Sequence, residues 1–371
     1  MQITLIIPGL SSGGAERVLL LLAQGFLQRG HTVTVITLSS KDTDFYSLPP
    51  AIEHVALNLR KKSPTLLHGV WNTIVRLIRL RQAVRETQPD IVISFMAPMN
   101  ILTSLALFRT KYPKIGTEHN TPKRNYCGQP WEMLRHFAYQ NLNKVVSVSQ
   151  DVNKDIDCLP EAKKRVIYNP FITIPDMADQ LRLAPGVDPN KKWITSMGRL
   201  NYQKGFDLLL TAFQAVANQY PDWQLLILGE GELKHDLENL RDQLRLSEQV
   251  VFTGAINPPF PILQNSDLFV MSSRFEGFPM AHGEALSCGL PVIATDCSGV
   301  RELIRDGIDG ILVPNEDVTA LAGAMSRLMS SEVERNRLAS RASEVLKRFS
   351  LDQVLDEWET LMDEVLKEQH L

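Results

Sequence analysis

The amino-acid sequence predicts an α/β protein built from two doubly wound, Rossmann-like domains. Its 371 residues exceed what one hydrophobic core usually organises. In both halves, short β-rich apolar runs alternate with helical stretches, which is the pattern of βαβ units around a parallel sheet. Segment 171–192 has several prolines and little periodicity, and is predicted to link domains 1–170 and 193–350.

Apolar runs and helical periodicity place the individual elements. The predicted strands are 3–7, 32–37, 90–95, 114–118 and 144–148, then 193–197, 223–228, 250–253, 268–271, 291–295 and 310–313. The predicted helices are 15–28, 66–86, 101–108 and 131–142, then 206–219, 233–244, 280–287 and 318–329. Residues 331–371 are also predicted to be helical, with 351–371 packing back on the first domain.

Composition excludes several classes of protein. Hydrophobic residues make up 44% and charged residues 22% of the chain, which argues against disorder, collagen and coiled coil. The cysteines form no CxxC pair, which argues against a disulfide framework or zinc site and fits a reducing cytoplasm: Cys127, Cys158, Cys288 and Cys297. We see neither a signal peptide nor an apolar run of about 18 residues, so a cytoplasmic protein is expected.

Charge is divided unequally along the chain. Residues 1–170 contain 21 Lys and Arg against 12 Asp and Glu, whereas the remainder contains 18 against 30. A balance of +9 against −12 indicates different partners for the two halves, or a surface charge that varies without function.

A glycine-rich turn follows the first strand, with Gly13 and Gly14 before a helix that contains Arg17. Free backbone N–H groups at a helix N-terminus favour an anion. The spacing matches neither the GxGxxG fingerprint nor a Walker A loop. Glycines also serve tight strand-to-helix turns, so the motif alone is a weak indication of ligand contact.

Two cations, Arg199 and Lys204, follow the first strand of the second half, where open α/β sheets bind ligands. Arginine offers a fork for phosphate oxygens and lysine a point charge. Two solvated surface cations are the simpler interpretation of this pair taken alone.

Segment 273–286 is the most informative part of the sequence. Glu276 lies in a loop, and Glu284 lies eight residues further along, in the helix predicted to begin near Met280. A carboxylate accepts hydrogen bonds from sugar hydroxyls, while free amides at a helix N-terminus favour a phosphate. Gly277 and Pro279 shape the loop between the two glutamates, which argues against a merely solvated pair.

A polar triplet, Glu118-His119-Asn120, ends a strand of the first half. Such a position falls on the ligand-facing edge of a parallel sheet. His119 is therefore a candidate catalytic residue, although a lone histidine is more often a hydrogen-bonded structural residue.

Taken together, these motifs resemble glycosyltransferase family 4, the retaining nucleotide-sugar transferases of GT-B fold, whose two domains face each other across a cleft. The resemblance covers nearly the whole chain in the correct order. It also includes Tyr168-Asn169-Pro170, Leu228-Gly229-Glu230-Gly231, Pro291 to Asp296 and Gly310 to Pro314.

The resemblance implies roles for these residues. Arg199 and Lys204 should clamp the donor diphosphate, Glu284 should hold the ribose, and Glu276 the hydroxyls of the transferred sugar. His119 should lie near the sugar. The loop that binds the diphosphate or the acceptor should contain Gly13, Gly14 and Arg17. Backbone contacts with phosphate or sugar are expected at Gly277, Phe278, Pro279 and Met280. No metal or other cofactor is expected, and the DxD-like Asp42 to Asp44 and Asp155 to Asp157 are interpreted as coincidences.

Within that family, the sequence resembles enzymes that extend sugars on undecaprenyl diphosphate or build surface polysaccharides, often from a UDP-sugar. Helix 66–86 carries an apolar arc, with Arg76 and Arg79 on the other side and Arg81 and Arg85 within the arc near its C-terminal end. This suggests contact with a lipid-linked acceptor or an anionic membrane at the inner face of the cell membrane. Packing on the sheet explains the arc equally well. Nucleic acid is not an expected partner. The alternatives are a GT-B-fold UDP-N-acetylglucosamine 2-epimerase and a non-catalytic sugar-nucleotide-binding protein.

Overall fold

The computed structural model describes residues 1–60, 65–121 and 129–369. The chain divides into two compact units. Unit 1 consists of Met1–Pro170 together with Leu351–Leu371, and unit 2 consists of Phe171–Ser350. Each unit contains one parallel sheet with helices, which confirms the doubly wound α/β class.

Unit 1 is organised by a seven-stranded sheet in the order β3-β2-β1-β4-β5-β6-β7. The strands are β1 (Gln2–Ile7), β2 (Thr32–Thr37), β3 (Glu53–Ala56), β4 (Ile91–Phe95), β5 (Lys114–Glu118), β6 (Lys144–Ser147) and β7 (Lys164–Val166). The helices before residue 170 are α1 (Gly14–Gln28), α2 (Leu66–Thr87), α3 (Ala97–Ala106), α4 (Gln129–Gln140) and α5 (Gln150–Lys154). Central strands such as β1 and β4 are apolar and buried because helices cover both faces of a parallel sheet.

Unit 2 has a six-stranded parallel sheet in the order β10-β9-β8-β11-β12-β13. Its strands are β8 (Lys192–Met197), β9 (Trp223–Leu228), β10 (Val250–Gly254), β11 (Leu268–Met271), β12 (Val292–Thr295) and β13 (Gly310–Val313). Its helices are α6 (Phe206–Ala217), α7 (Lys234–Gln243), α8 (Phe260–Gln264), α9 (Met280–Ser287), α10 (Val300–Leu303), α11 (Val318–Ser330), α12 (Glu332–Ala342) and α13 (Val345–Arg348). The strand order reverses between β8 and β11, which creates a switch point at the carboxyl edge.

The last helix, α14 (Leu351–Gln369), belongs to unit 1 and packs against α1. Val354, Leu355 and Trp358 are among its buried residues. A Cβ added to Gly25 of α1 would lie 2.5 Å from Leu355 Cδ1, so the small residue permits this close helix approach.

The position of α14 changes the interpretation of the charge division. Segment 351–371 carries seven acidic residues and one lysine, so unit 1 has a net charge of +3 rather than the +9 of residues 1–170. Arg29 pairs with Asp356 at 2.6 Å and Glu359 at 2.8 Å, and Lys144 pairs with Glu368 at 2.7 Å. Much of the basic excess is therefore neutralised within the folded unit.

The cysteines and helices add two further observations. Cys158, Cys288 and Cys297 are free thiols, and Cys127 lies outside the described residues. In the described part of the chain, each helix is too short or too polar to cross a bilayer.

A substitution at Gly283 tests how closely α9 packs in unit 2. A Cβ at this position would lie 2.0 Å from Cζ of the buried Phe171 ring, so Gly283→Ala is expected to lower the thermal unfolding midpoint through overpacking that costs about 1–3 kcal/mol. Gly323 of α11 is the matched control, because nothing described lies within 4 Å of its added Cβ and alanine favours a helix. Differential scanning calorimetry should show opposite shifts; a rise in both variants would contradict the packing.

Candidate active site

The loops after β8 and β11 lie at the switch point of the unit 2 sheet. The first loop carries the exposed Arg199, followed by a 3-10 turn at Tyr202–Lys204. Asn201 caps that turn, accepting a hydrogen bond from the Lys204 backbone N–H at 3.3 Å. Both predicted diphosphate ligands therefore lie in one short loop at the edge of the sheet where ligands bind in this architecture.

Glycines allow the neighbouring loops to approach at backbone distance. Gly205 has φ +63°, and a Cβ there would lie 2.2 Å from the Ser272 carbonyl oxygen. A Cβ at Gly229, which has φ +158°, would lie 1.9 Å from the Gly198 carbonyl oxygen. The loops after β8, β9 and β11 thus support one another directly, and larger residues at these positions would separate them.

Lys204 and Glu276 form an ion pair with Nζ 2.6 Å from Oε1. The lysine side chain is 18% exposed and the glutamate side chain 6% exposed. The Ser273 hydroxyl donates to the same carboxylate oxygen at 2.6 Å, and Gln203 Nε2 lies 3.4 Å from the other. Sequence analysis gave these two residues separate ligand roles and did not predict that they contact each other.

Arg274 braces the two loops. Its guanidinium forms two hydrogen bonds with the Asp207 carboxylate, at 2.9 and 2.6 Å, and lies 4.1 Å from the ring centroid of Tyr202. It also donates to Glu316 Oε1 at 2.8 Å. The hydrogen bond to Asp207 is the main reason that the pKa of Arg274 is raised further above its usual value. Arg274 therefore holds the Lys204 turn against the Glu276 loop.

Helix α9 presents its N-terminus at this edge. Pro279 is the N-cap and makes no side-chain capping hydrogen bond within the described residues, so the backbone amides of the first turn keep their capacity to bind. Phe278 and Met280 are buried, and the Phe278 ring stacks on Phe171 at 6.1 Å between centroids. Their side chains anchor the loop, which leaves only backbone groups for ligand contact. Glu284 lies on the same helix and is 8% exposed.

His282 is a residue that sequence analysis missed. It is 1% exposed in the first turn of α9, and neither ring nitrogen has a hydrogen-bond partner among the described residues. Burial lowers the pKa of His282 to about 4, with Lys204 also opposing its protonation and Glu276 favouring it. Only its place between two singled-out positions, Met280 and Glu284, could have drawn attention to it.

In unit 1, the glycine-rich turn is organised by Glu16. The Ser11 hydroxyl donates to Glu16 Oε1 at 2.6 Å, and a Cβ at Gly13 would lie 2.2 Å from Oε2. Gly14 begins α1 and is exposed, while Arg17 is half-buried one turn of helix further along. The carboxylate lies against the turn and places negative charge in the first turn of the helix.

The triplet that ends β5 lies above a buried polar network. Glu118 is 3% exposed and accepts a hydrogen bond from the Tyr139 hydroxyl. Burial raises the pKa of Glu118 to about 8, although the charge of Arg135 lowers it. His119 is half-buried, its ring stacks on Phe95 at 5.5 Å, and burial lowers the pKa of its imidazole to about 4.

Helix α2 divides its apolar arc into two faces. One face packs into the core through Leu80, Ala83 and Val84, with Leu77 partly buried. The other is an exposed stripe, 41–65% accessible, that we call the α2 stripe: Val70, Trp71, Ile74 and Ile78. Arg81 and Arg85 continue the α2 stripe at helical spacing.

Arg76 and Arg79, the two arginines predicted to contact acceptor or membrane, lie off the α2 stripe. Arg76 donates from Nε to the Leu59 carbonyl oxygen at 3.1 Å, and Arg79 is exposed.

The DxD-like pairs lie in two separate parts of unit 1. Asp42 lies in a 3-10 turn, Asp44 lies 3.6 Å from His54, and Asp155 follows α5. Across the described ranges, no group of three or more His, Cys, Asp or Glu side chains is placed to hold a metal ion.

The raised pKa of Glu118 predicts a pH dependence of stability. Between its ordinary pKa of 4.5 and the folded value of about 8, the folded state keeps a proton that the unfolded state releases. The contribution of this group is therefore complete below pH 4.5 and is lost as the pH rises through 8.

Glu118→Gln should flatten that decline, because the amide does not titrate. Urea unfolding of unit 1 at several pH values between about 5 and 8.5 measures the slope, and Glu86→Gln, which changes an exposed carboxyl on α2, is the control. Equal slopes in wild type and Glu118→Gln would show that Glu118 is ionised in the folded protein.

Two family models match this chain, one in each half. A model described as Glycosyltransferase Family 4 matches residues 12–173, and one described as Glycosyl transferases group 1 matches residues 178–345. The chain is 27% identical over 367 residues to a Campylobacter jejuni alpha-1,4-N-acetyl-D-galactosaminyltransferase whose name specifies a PP-undecaprenol-linked saccharide; the match covers 98% of this chain and 99% of the relative. An Erwinia amylovora amylovoran biosynthesis glycosyltransferase is 25% identical with the same coverage.

Solved structures agree on the fold. HepE of Anabaena in complex with UDP and glucose has a TM-score of 0.80 at 20% identity, covering 98% of this chain and 99% of that one. Sucrose-phosphate synthase from Thermosynechococcus elongatus has a TM-score of 0.83 at 17% identity, covering 99% and 100%. Both matched models describe glycosyltransferases, and their ranges fall in the two halves of the chain. The chain therefore consists of a Glycosyltransferase Family 4 region followed by a Glycosyl transferases group 1 region, and it has the GT-B fold.

Proposed function

We propose that this glycosyltransferase moves a hexose or N-acetylhexosamine, with retention of configuration, from a nucleotide diphosphate sugar to a lipid-linked or polysaccharide acceptor. The observation that carries the proposal is the cluster at the unit 2 switch point. Arg199, the paired Lys204 and Glu276, and the open N-terminus of α9 lie on adjoining loops. Together they offer positive charge for phosphates and carboxylate oxygen for sugar hydroxyls.

Each donor contact follows from the local chemistry. Arg199 and Lys204 bind the diphosphate and stabilise the negative charge that develops on the leaving group. Glu276 accepts from hydroxyls of the transferred sugar, and Glu284 accepts from the ribose. The backbone N–H groups of Gly277, Phe278 and Met280 bind phosphate or sugar, because the Phe278 and Met280 side chains are committed to the core. Pro279 has no N–H and contributes its carbonyl oxygen and the shape of the loop. UDP is the preferred nucleotide, as UDP is bound in the HepE structure.

Unit 1 supplies the remaining contacts. His119 meets a sugar hydroxyl as a neutral imidazole, and the loop at Gly13, Gly14 and Arg17 binds diphosphate or acceptor. Retention is supported by the alpha linkage in the name of the Campylobacter relative, since retaining transfer from an alpha-configured donor yields an alpha product. The cations take the place of a metal ion, so no cofactor is required.

We place the acceptor at a membrane. The named acceptor of the Campylobacter relative is linked to undecaprenol, a lipid. The α2 stripe combines exposed apolar side chains with Arg81 and Arg85, the pattern of a surface that rests on anionic headgroups. The proposed membrane contact is therefore the α2 stripe rather than Arg76 and Arg79. In this proposal the protein is peripheral on the inner face of the cell membrane.

One assay tests the proposed function. Purified protein is incubated with a panel of nucleotide sugars and a lipid-linked saccharide, with and without EDTA. Transfer that persists in EDTA, with the anomeric configuration of the donor kept in the product by NMR, is the expected result. Interconversion of the nucleotide sugar without transfer would point to an epimerase, and a strict Mn²⁺ or Mg²⁺ requirement would exclude the metal-free mechanism.

Arg199 provides the cleaner test of the diphosphate clamp. Lys204→Ala also leaves the buried Glu276 carboxylate without its ammonium partner, which makes loss of stability and loss of catalysis hard to separate. Arg199 is exposed, so Arg199→Ala should preserve the unfolding midpoint while lowering kcat/KM by roughly 10²- to 10³-fold, the scale for losing one preorganised charge. Arg182→Ala, an exposed arginine of the same unit, is the control. Wild-type turnover of Arg199→Ala would remove it from the clamp.

Vesicle co-sedimentation tests the α2 stripe. Arg81→Gln/Arg85→Gln should weaken binding to vesicles containing anionic lipid by roughly 30-fold at low salt, since each cation contributes about 1 kcal/mol near such a surface. Ile74→Gln/Ile78→Gln should weaken binding at low and high salt alike, because apolar insertion is not screened. Arg79→Gln, off the stripe, is the control. Retained sedimentation of both double variants would place the membrane contact elsewhere.

A further inference from the structure

The ring of His119 is held by two independent contacts. Its face stacks on Phe95 with an interplanar angle of 21°. Its Nε2 lies 2.9 Å from the hydroxyl oxygen of Thr117, two residues earlier on the same strand. Within the described residues Nδ1 has no hydrogen-bond partner, so one ring nitrogen is engaged by the protein and the other is not.

The direction of the Thr117 contact follows from counting protons. The Thr117 hydroxyl lies 3.1 Å from the Ser94 carbonyl oxygen as well as 2.9 Å from Nε2. A carbonyl oxygen accepts only, and a hydroxyl has a single proton to donate. Both contacts are hydrogen bonds only if the hydroxyl donates to Ser94 and accepts from Nε2–H.

Thr117 itself is fixed by a buried amide. Thr117 is 2% exposed and Asn100 is fully buried. Asn100 Nδ2 donates to the Thr117 carbonyl oxygen at 2.9 Å, and Asn100 Oδ1 accepts from the Thr117 N–H at 3.3 Å. The Ser94 hydroxyl also donates to Asn100 Oδ1, at 2.7 Å, which fixes the orientation of the amide. Asn100 therefore holds the Thr117 backbone, and the Ser94 carbonyl oxygen holds its hydroxyl, before any ligand arrives.

We propose that Thr117 is a positioning residue that fixes His119 as the Nε2–H tautomer, which leaves Nδ1 as an acceptor for a sugar hydroxyl. The substrate half of this inference rests on the proposed function, whereas the tautomer does not. Burial favours a neutral ring, so a single proton is shared by the two nitrogens and the Thr117 contact decides which one carries it. Titratable groups near this end of β5 are Glu118 on the strand, and Tyr139, Arg135 and Glu132 on α4.

Nitrogen NMR reads the tautomer directly. Protein labelled with ¹⁵N-histidine is measured near pH 7, and the His119 signals are assigned from their loss in His119→Gln. The expected wild-type spectrum has a protonated Nε2 and an unprotonated Nδ1 for His119. Thr117→Val should abolish that preference, and Thr117→Ser, which keeps the hydroxyl, should restore it. A wild-type Nδ1–H tautomer, or a Thr117→Val spectrum like the wild type, would overturn the inference.

Kinetics separate the tautomer from its use. In the transfer assay, Thr117→Val should lower kcat/KM by about tenfold, the scale of one misplaced hydrogen bond, and Thr117→Ser should stay within about twofold. Thermal unfolding of both variants controls for folding. A changed tautomer with unchanged kcat/KM would overturn the role of Nδ1 toward substrate. Absence of transfer by the wild type with every nucleotide sugar would instead count against the proposed function, and the NMR result would still decide the tautomer.

Discussion

Buried carboxyl groups at the carboxyl ends of the strands must be paired or protonated, and this constraint shapes the candidate site in each unit. A buried carboxylate is tolerable only with a cation or with hydrogen-bond donors, because desolvation is costly. In unit 2, Glu276 receives Lys204 and Ser273, and Arg274 holds the two loops that bring them together. In unit 1, burial instead keeps Glu118 protonated up to a pKa of about 8; Glu118 accepts from the Tyr139 hydroxyl, and Asn100 binds the neighbouring Thr117. The loops are positioned by these pairs as much as by the sheets beneath them.

Sequence patterns located the central elements well, because a strand buried on both faces leaves a continuous apolar run. Both edge strands of the unit 1 sheet were missed, because they lack such a run. Strands β3 and β7 contain charged residues and are only half-buried, so no apolar run marks them. Helix α3 begins at Ala97, four residues earlier than predicted, since Met96 adopts φ +74° and Pro98 occupies the first turn, where proline is well tolerated. The α2 arc was also visible in the sequence, but its division into buried and exposed faces depends on tertiary packing.

Side-chain pairing could be predicted less well than the location of the site. The spacing of Glu276 and Glu284 and the cations at positions 199 and 204 singled out two loops that the structure places at the switch point of the unit 2 sheet. Nothing local predicts that Lys204 reaches Glu276, because 72 residues separate them and their meeting depends on β8 and β11 being neighbours. The net charges of the two units could not be predicted from the sequence for a similar reason. A count along the chain assigns the acidic tail to the second half, whereas folding brings its carboxylates to Arg29, Lys144 and Arg165 of unit 1.

The two candidate sites share one physical arrangement, in which the protein holds one end of a functional group and leaves the other able to bind. Glu276 Oε1 is occupied by Lys204 and Ser273, while Oε2 accepts a long hydrogen bond from Gln203 at 3.4 Å. Lys204 has three N–H donors and uses one on Glu276, so it can meet phosphate oxygens without breaking the ion pair. His119 has Nε2 on Thr117, and Nδ1 has no partner in the described part of the chain. Such groups need little reorganisation when a ligand arrives, and low reorganisation is the main source of electrostatic catalysis in a preorganised site.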